Sequence, residues 1–200
     1  MTELWKMLQL SKGELFLFPP SIWKFKYEFD IAVLQPKIDH LFSLVTKNSK
    51  LENGEALSTV SVDASMQPHS WEELSHFQNW LGGVFEHIKD TYEFENRLST
   101  VTQSWFNKHQ RGGVTLEHLH SHTTFVVASY IACPSGSGFI EFKDPLEYHK
   151  SSWPVFPEES SYKEVPCQTN DVLIFPGWIK HRVQPNNTDS DRVVMTFNIS

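Results

Sequence analysis

Three histidines and one arginine carry the chemistry that this sequence can support. His118 and His120 stand two residues apart in the stretch Gly112-Gly113-Val114-Thr115-Leu116-Glu117-His118-Leu119-His120-Ser121-His122. Side chains alternate along a strand, so these two imidazoles face the same way, about 6 to 7 Å apart at Cα, and can converge on one metal ion. His122 shares that parity if the strand continues, which leaves His120 with His122 as a second pairing. A third ligand must come from elsewhere. The segment Phe175-Pro176-Gly177-Trp178-Ile179-Lys180-His181 supplies it, since a strand and a tight turn lead His181 into a following strand. Three protein ligands leave positions open on an iron(II) ion that takes five or six, which is the arrangement dioxygen activation requires.

The arginine is Arg192, in Asp191-Arg192-Val193-Val194-Met195-Thr196-Phe197-Asn198-Ile199. Alternation puts Val193, Met195, Phe197 and Ile199 on one face and Arg192, Val194, Thr196 and Asn198 on the other. An arginine turned into a cleft needs an anion, because an unpaired buried guanidinium is costly, and its planar fork matches a carboxylate. The plainer alternative is an ion pair with Asp189 or Asp191 at the strand end. His40, His69, His76, His87 and His149 have no comparable context and read as surface or core histidines.

Positioning these groups falls to a β-rich C-terminal half. From about residue 98 the candidate strands are Ser99 to His109, Val114 to His120, Thr124 to Cys133, Phe139 to Phe142, Asp171 to Phe175, His181 to Gln184 and Arg192 to Ile199. Turns at Gly112-Gly113, Pro134 to Gly138, Pro176-Gly177 and Asn186-Asn187 separate them. Short strands so punctuated predict a mainly β, α+β protein: a jelly roll, or double-stranded β-helix, whose two sheets enclose a cleft lined by alternate side chains.

Residues 1–97 read as helical and strand support within the same single domain of 200 residues, the jelly-roll core occupying about 98–200. After Pro19-Pro20, Trp23, Phe25, Tyr27 and Phe29 alternate with Ile22, Lys24, Lys26 and Glu28, giving a strand with one aromatic face. A helix follows, with Pro36 near its first turn and Ile38, Leu41, Phe42 and Val45 as its apolar stripe. Residues from about 49 to 69, polar and small around Asn53-Gly54, read as a long loop and candidate lid. Ser70-Trp71-Glu72-Glu73 fits a capping box opening a second helix, with Leu74, Phe77, Leu81, Val84, Phe85 and Ile88 inward and Gly82-Gly83 as its weak point. The helices should cover one outer sheet face.

Composition narrows the partners. A net charge of −7 without any basic block argues against nucleic acid and anionic membranes. Only two cysteines occur, Cys133 and Cys167, without CxxC spacing, which argues against a disulfide framework or a thiolate zinc site and fits a reducing compartment. The first residues lack a signal-peptide run, and no stretch approaches the ~18 to 20 apolar residues of a membrane span. A cytoplasmic protein is expected, and the sequons at Asn186 and Asn198 are then chance.

In chain order the motifs are Trp105 and Asn107 (W-x-N), Gly112-Gly113, His118 and His120 (H-x-H), the Gly136-Ser137-Gly138 turn, Phe142, Asp144 and Pro145 (F-x-D-P), Phe175, Pro176, Trp178 and His181 (F-P-x-W-x-x-H), and Arg192 and Asn198. This series resembles the 2-oxoglutarate- and iron(II)-dependent oxygenases, and is most similar to small members from marine bacteria and tailed phages. The resemblance covers roughly residues 100–200 well and the N-terminal half only in general layout. It implies that His118, His120 and His181 bind iron(II) and that Arg192 pairs with the far carboxylate of the cosubstrate 2-oxoglutarate. It further implies hydroxylation of a C–H bond by O2, with release of succinate and CO2. Asn107, Tyr130, Thr196 and Asn198 are the additional candidates for the cosubstrate pocket, with Trp105 lining the cavity. The implied substrate is a protein side chain, prolyl foremost, or a small molecule, acted on in the cytoplasm, including a host's if the chain is virus-encoded. Two positions depart from the wider superfamily. A carboxylate is usual where His120 stands, and a hydroxyl residue is frequent where Val194 stands, for which Thr196 or Asn198 would substitute.

Two alternatives stay open. The spacing from Gly112 to His118 and His120 also matches the start of a cupin motif, which would make a three-histidine dioxygenase or isomerase without 2-oxoglutarate. Thr123, Thr124 and Phe125 stand where the cupin glutamate is expected. The other alternative is a noncatalytic jelly-roll binding module with a structural zinc or no metal.

Overall fold

Strands of this chain divide between two antiparallel sheets in a computed structural model that describes residues 22–45, 50–92, 100–146 and 161–200. The first sheet runs in the order β1 (Trp23–Lys26), β9 (Asp171–Pro176), β6 (Phe125–Ala132), β11 (Arg192–Ile199), β4 (Val101–His109) and β3 (Ala56–Ser58). The second runs β2 (Glu52–Asn53), β5 (Val114–His118), β10 (His181–Val183), β7 (Ile140–Lys143) and β8 (Tyr162–Val165). This is the expected jelly roll. Two helices, α1 (Ile31–Ser43) and α2 (Ser75–Tyr92), precede most of it.

Alternation along the larger sheet creates two different faces. Phe106, Phe125, Val127, Ile131, Val172, Ile174, Met195, Phe197 and Ile199 turn outward and are covered by Leu34, Ile38, Leu41 and Phe42 of α1 and Phe77, Leu81, Phe85 and Ile88 of α2. Trp23, Phe25, Tyr27 and Phe29 join that layer, as the aromatic alternation predicts. The opposite face looks at the second sheet, where Val126, Ala128, Tyr130, Leu173, Phe175 and Val194 meet Ile140, Phe142 and Ile179. Both cysteines are free thiols. Among the described residues no helix is long and apolar enough to cross a membrane.

Several local expectations are corrected. Helix α1 begins at Ile31, capped by the Asp30 carboxylate on the Val33 N–H, so Pro36 lies inside the helix and not in its first turn. The stretch from 50 to 69 is no structureless loop: Asn53-Gly54 turns β2 into β3, and short 3₁₀ turns at Ala64–Met66 and Pro68–Ser70 follow. Ser70 forms no capping box. Its hydroxyl donates to Ser65 and Gln67 carbonyls, Glu73 pairs with Lys37, and a 3₁₀ turn at Glu72–Leu74 leads into α2. Helix α2 then passes through Gly82-Gly83 without a break. Strand β8 was not foreseen, because its sequence Tyr-Lys-Glu-Val is short, polar and at a sheet edge. The Pro19-Pro20 break and His149 lie outside the described residues.

Candidate metal centre

The two histidine-bearing segments are held together by backbone. Strand β5 lies beside β10 with His118 opposite His181. Beyond the end of β5, the His120 N–H donates to the Gly177 carbonyl at 2.9 Å, and the Gly177 N–H donates to Thr124 at 3.0 Å. A side chain at position 177 would overlap the Thr123 carbonyl, so the F-P-G turn needs its glycine for this close approach. Strand β5 ends at His118, two residues earlier than alternation suggested, yet the His120 ring still turns to the same side.

Three imidazoles meet as a result. Ring centroids lie 4.2 Å apart for His118 and His181, 5.2 Å for His118 and His120, and 5.3 Å for His120 and His181. One ligand nitrogen from each falls within 4.8 Å of the other two. His122 sits in the following turn with φ of 60°, exposed and outside this cluster, so the geometry pairs His118 with His120.

Each ring is oriented through its Nδ1. That atom lies 2.8 Å from the Leu116 carbonyl in His118, 3.0 Å from the Ile179 carbonyl in His181, and 2.7 Å from Asn198 Oδ1 in His120. These oxygens only accept, so each Nδ1 carries the hydrogen and each Nε2 keeps a lone pair for a metal. Burial lowers the pKa of all three, to about 4 for His120 and well below its usual value for His181, where the charge of His118 adds to the effect. Neutral rings are the ligating form. Trp105 stacks on His120 at 5.7 Å, and Phe175 meets His181 edge-on at 4.9 Å, which fixes the rings from behind. A cleft of about 260 Å³ is lined by Leu119, Lys143, Asp144, Pro145, Lys180 and the half-exposed Trp178, and none of the three histidines is among its lining residues.

Arg192 reaches the same inter-sheet space and is completely buried. Its terminal nitrogens donate to the carbonyls of Ser137 and Gln184, the latter at 3.1 Å, while Nε has no partner among the described residues. Burial pulls its pKa down, but a guanidinium keeps its charge. The alternative ion pair at the strand end is not formed: Asp189 pairs with Arg111 at 2.6 Å. Among the described residues Arg192 forms no ion pair, and its terminal nitrogens meet backbone carbonyls instead.

Of the other candidates, Asn107 lies on this inner face with Oδ1 buried and unpartnered. Thr196 is buried between Trp105 and Ala128 in the register, and Tyr130 is buried with its phenol pushed well above the usual range by burial and by the neighbouring Cys167. Asn198 serves His120 through its side-chain oxygen. Sequence reasoning missed that service, and it missed His109, although alternation from Trp105 through Asn107 already placed His109 on the inner face. Of the histidines read as structural, His69 is bonded to Ser104 at 2.8 Å and His40, His76 and His87 are exposed. The sequon at Asn186 is completely buried, its amide donating to the His109 and Ser190 carbonyls, in keeping with a chance match.

Three neutral imidazoles converging on one point suit iron, and a buried guanidinium with no ion pair among the described residues suits a diacid. A family model described as "Putative 2OG-Fe(II) oxygenase" matches residues 103–198. No curated protein matches the chain by sequence. Among solved structures, it is similar to a Pseudomonas putida prolyl-4-hydroxylase at 10% identity, TM-score 0.59, covering 90% of this chain and 92% of that one. It is also similar to HygX from Streptomyces hygroscopicus, solved with nickel and 2-oxoglutarate, at 12% identity, TM-score 0.55, covering 100% and 87%. A third is the alpha-ketoglutarate-dependent epimerase SnoN from nogalamycin biosynthesis, at 12% identity, TM-score 0.62, covering 90% and 78%. At such identities the likeness is one of fold.

Proposed function

We propose that the chain is a 2OG-Fe(II) oxygenase, as the family model matching residues 103–198 supports, and that it hydroxylates a C–H bond of a protein side chain or small molecule, converting 2-oxoglutarate and O2 to succinate and CO2. The observation that carries this reading is the juxtaposition of three converging imidazoles with a buried guanidinium that no described carboxylate neutralises. His118, His120 and His181 would hold iron(II), which supplies the dioxygen and redox chemistry when bound.

The protein's own share is positioning. Leu116, Ile179 and Asn198 fix the ring tautomers, so the ligands present lone pairs without reorganisation. Arg192 would orient the diacid by its far carboxylate, leaving the 2-oxo acid end toward the histidines. Thr196, Asn107 and Tyr130 would line that pocket. His118 and His120 are half-buried and His181 is buried, which suits access for a substrate from one side only. With three neutral ligands and no carboxylate, the metal would keep its full positive charge, which favours a dianionic cosubstrate.

A cupin-type enzyme that uses no 2-oxo acid would have no use for a buried, unpaired Arg192, and a structural zinc module would not need it either. The test is succinate formation when iron(II)-loaded protein with 2-oxoglutarate is exposed to O2. Wild type should form succinate and Arg192→Leu should not. Turnover that survives Arg192→Leu, or wild-type protein that binds iron without binding 2-oxoglutarate, overturns the reading.

A further inference from the structure

Next to Arg192 stands a residue that the reading above leaves unused. His109 closes β4, lies opposite Arg192 in the β4–β11 register, and is 1% exposed. Its ring bridges the two sheets: Nε2 is 2.7 Å from Oγ1 of Thr115 on β5, itself buried. Its other ring nitrogen, Nδ1, has no partner among the described residues, and neither has Arg192 Nε. Buried polar atoms are almost always matched, so two unmatched ones on cross-strand neighbours call for a guest.

The chemistry of the pair limits that guest. Burial, then the nearby charge of Arg192, press the His109 pKa down to about 3, so the ring is neutral and offers a single N–H. If the Thr115 hydroxyl donates to Nε2, that single N–H sits on Nδ1. A donor there, beside a cation with no anion among the described residues, fits an acceptor carrying negative charge.

We propose that His109 is a second anchor for the far carboxylate of the cosubstrate: the Thr115 hydroxyl holds the ring in its Nδ1–H form, and Nδ1–H donates to the carboxylate that Arg192 faces. This rests on the site being a 2-oxoglutarate pocket. The arrangement adds a directional donor without adding charge, so it discriminates diacids from monoacids more than it strengthens binding of the 2-oxo acid head.

The test is anaerobic calorimetry on iron(II)-loaded protein with two probes: 2-oxoglutarate, and 2-oxopentanoate, which has the same 2-oxo acid head and chain length but no far carboxylate. His109→Leu should weaken 2-oxoglutarate by about tenfold to a hundredfold, the range of a hydrogen bond to a charged group. It should leave 2-oxopentanoate and iron(II) binding within about twofold. Thr115→Val, which removes the hydroxyl but keeps the volume, should shift the same ratio in the same direction by less, and it serves if His109→Leu does not fold. Equal weakening of both probes, or an unchanged ratio in folded variants, overturns the proposal and leaves His109 a structural bridge. An unchanged ratio in protein whose wild type binds 2-oxoglutarate overturns this proposal alone. Wild-type protein that takes iron(II) but no 2-oxoglutarate overturns the pocket and this proposal together.

Discussion

The two faces of the larger sheet are built from the same strands and do opposite work. Outward, Phe106, Phe197 and Met195 pack against α1 and α2 in a layer of aromatic and aliphatic side chains. Inward, β4 and β11 present Asn107, His109 and Arg192, each with a buried polar atom lacking a partner among the described residues. Apolar burial stabilises the fold through area removed from water, whereas unmatched buried polar atoms destabilise it. The outward face is chiefly apolar, with Ser129 Oγ as an exception unmatched among the described residues, while the inward face gathers three unmatched polar side chains on two neighbouring strands.

That division can be broken most directly at His181. Replacing it with Ala should remove one of three ligands, abolish iron(II) retention and lower turnover by about a thousandfold or more, while the apo protein stays folded. Metal content and thermal unfolding on one preparation check both halves. Loss of the fold along with the metal would mean that the inner face is structural after all.

The converse experiment is Phe77→Ala on α2. Phe77 is 1% exposed and touches Tyr27, Phe29, Trp80 and Phe197. The truncation should cost about 3 to 5 kcal/mol of stability by denaturant unfolding, from lost transfer energy and the cavity left behind. At temperatures where the variant remains folded, its affinity for iron(II) should match wild type. A change in affinity comparable to that of a ligand substitution would show that the two faces are coupled.

A smaller effect tests the edge where β1 joins β9. Asp171 is buried, with Lys24 and Lys26 of β1 at 3.0 and 2.7 Å and the Gln168 N–H at 2.7 Å. Burial alone would raise its pKa, but the two lysines and the amide outweigh it, and the net direction is down. A carboxyl with a depressed folded pKa contributes stability above its unfolded value of about 3.9, and that contribution fades as pH falls through the folded value. Asp171→Asn should therefore cost about 1 to 2 kcal/mol near neutral pH, and the gap to wild type should close below about pH 4. A gap that persists in acid would assign the loss to packing and not to charge.

How much of this was readable beforehand depends on whether a feature is set by local alternation or by contacts across the sheets. The split of Val193, Met195, Phe197 and Ile199 from Arg192, Val194, Thr196 and Asn198 follows from period two and is what the strand shows. His118 and His120 end on one side although β5 stops at His118, and His181 joins them through the β5–β10 pairing, not through period two. Alternation fails within β5, where His118 lies opposite His181 but Thr115, not Leu116, lies opposite Val183. This bulge turns Thr115 inward with His118, so its contact with His109 could not be read from parity. The role of Asn198 was hidden likewise, since its partner His120 is 78 residues away in sequence. Around 50 to 69 the polar composition suggested only a loop, because a two-residue strand and 3₁₀ turns carry no periodicity to detect.

The mildest test of the outer face is Gly82→Ala. Glycine in a helix interior costs roughly 0.5 to 1 kcal/mol relative to alanine, mainly because the unfolded chain has more freedom to lose. Gly82 is exposed, α2 continues through it, and a Cβ there would meet nothing within 4 Å. No close approach of backbone or ligand among the described residues requires the missing side chain. The substitution should therefore raise the melting temperature by about 1 to 4 °C without changing iron(II) or 2-oxoglutarate affinity. Since the stabilising layer is separable from the binding face, a gain in one should cost nothing in the other. A fall in stability would show that another part of the chain packs against Gly82, and a fall in affinity would show that α2 reaches the site through the sheet.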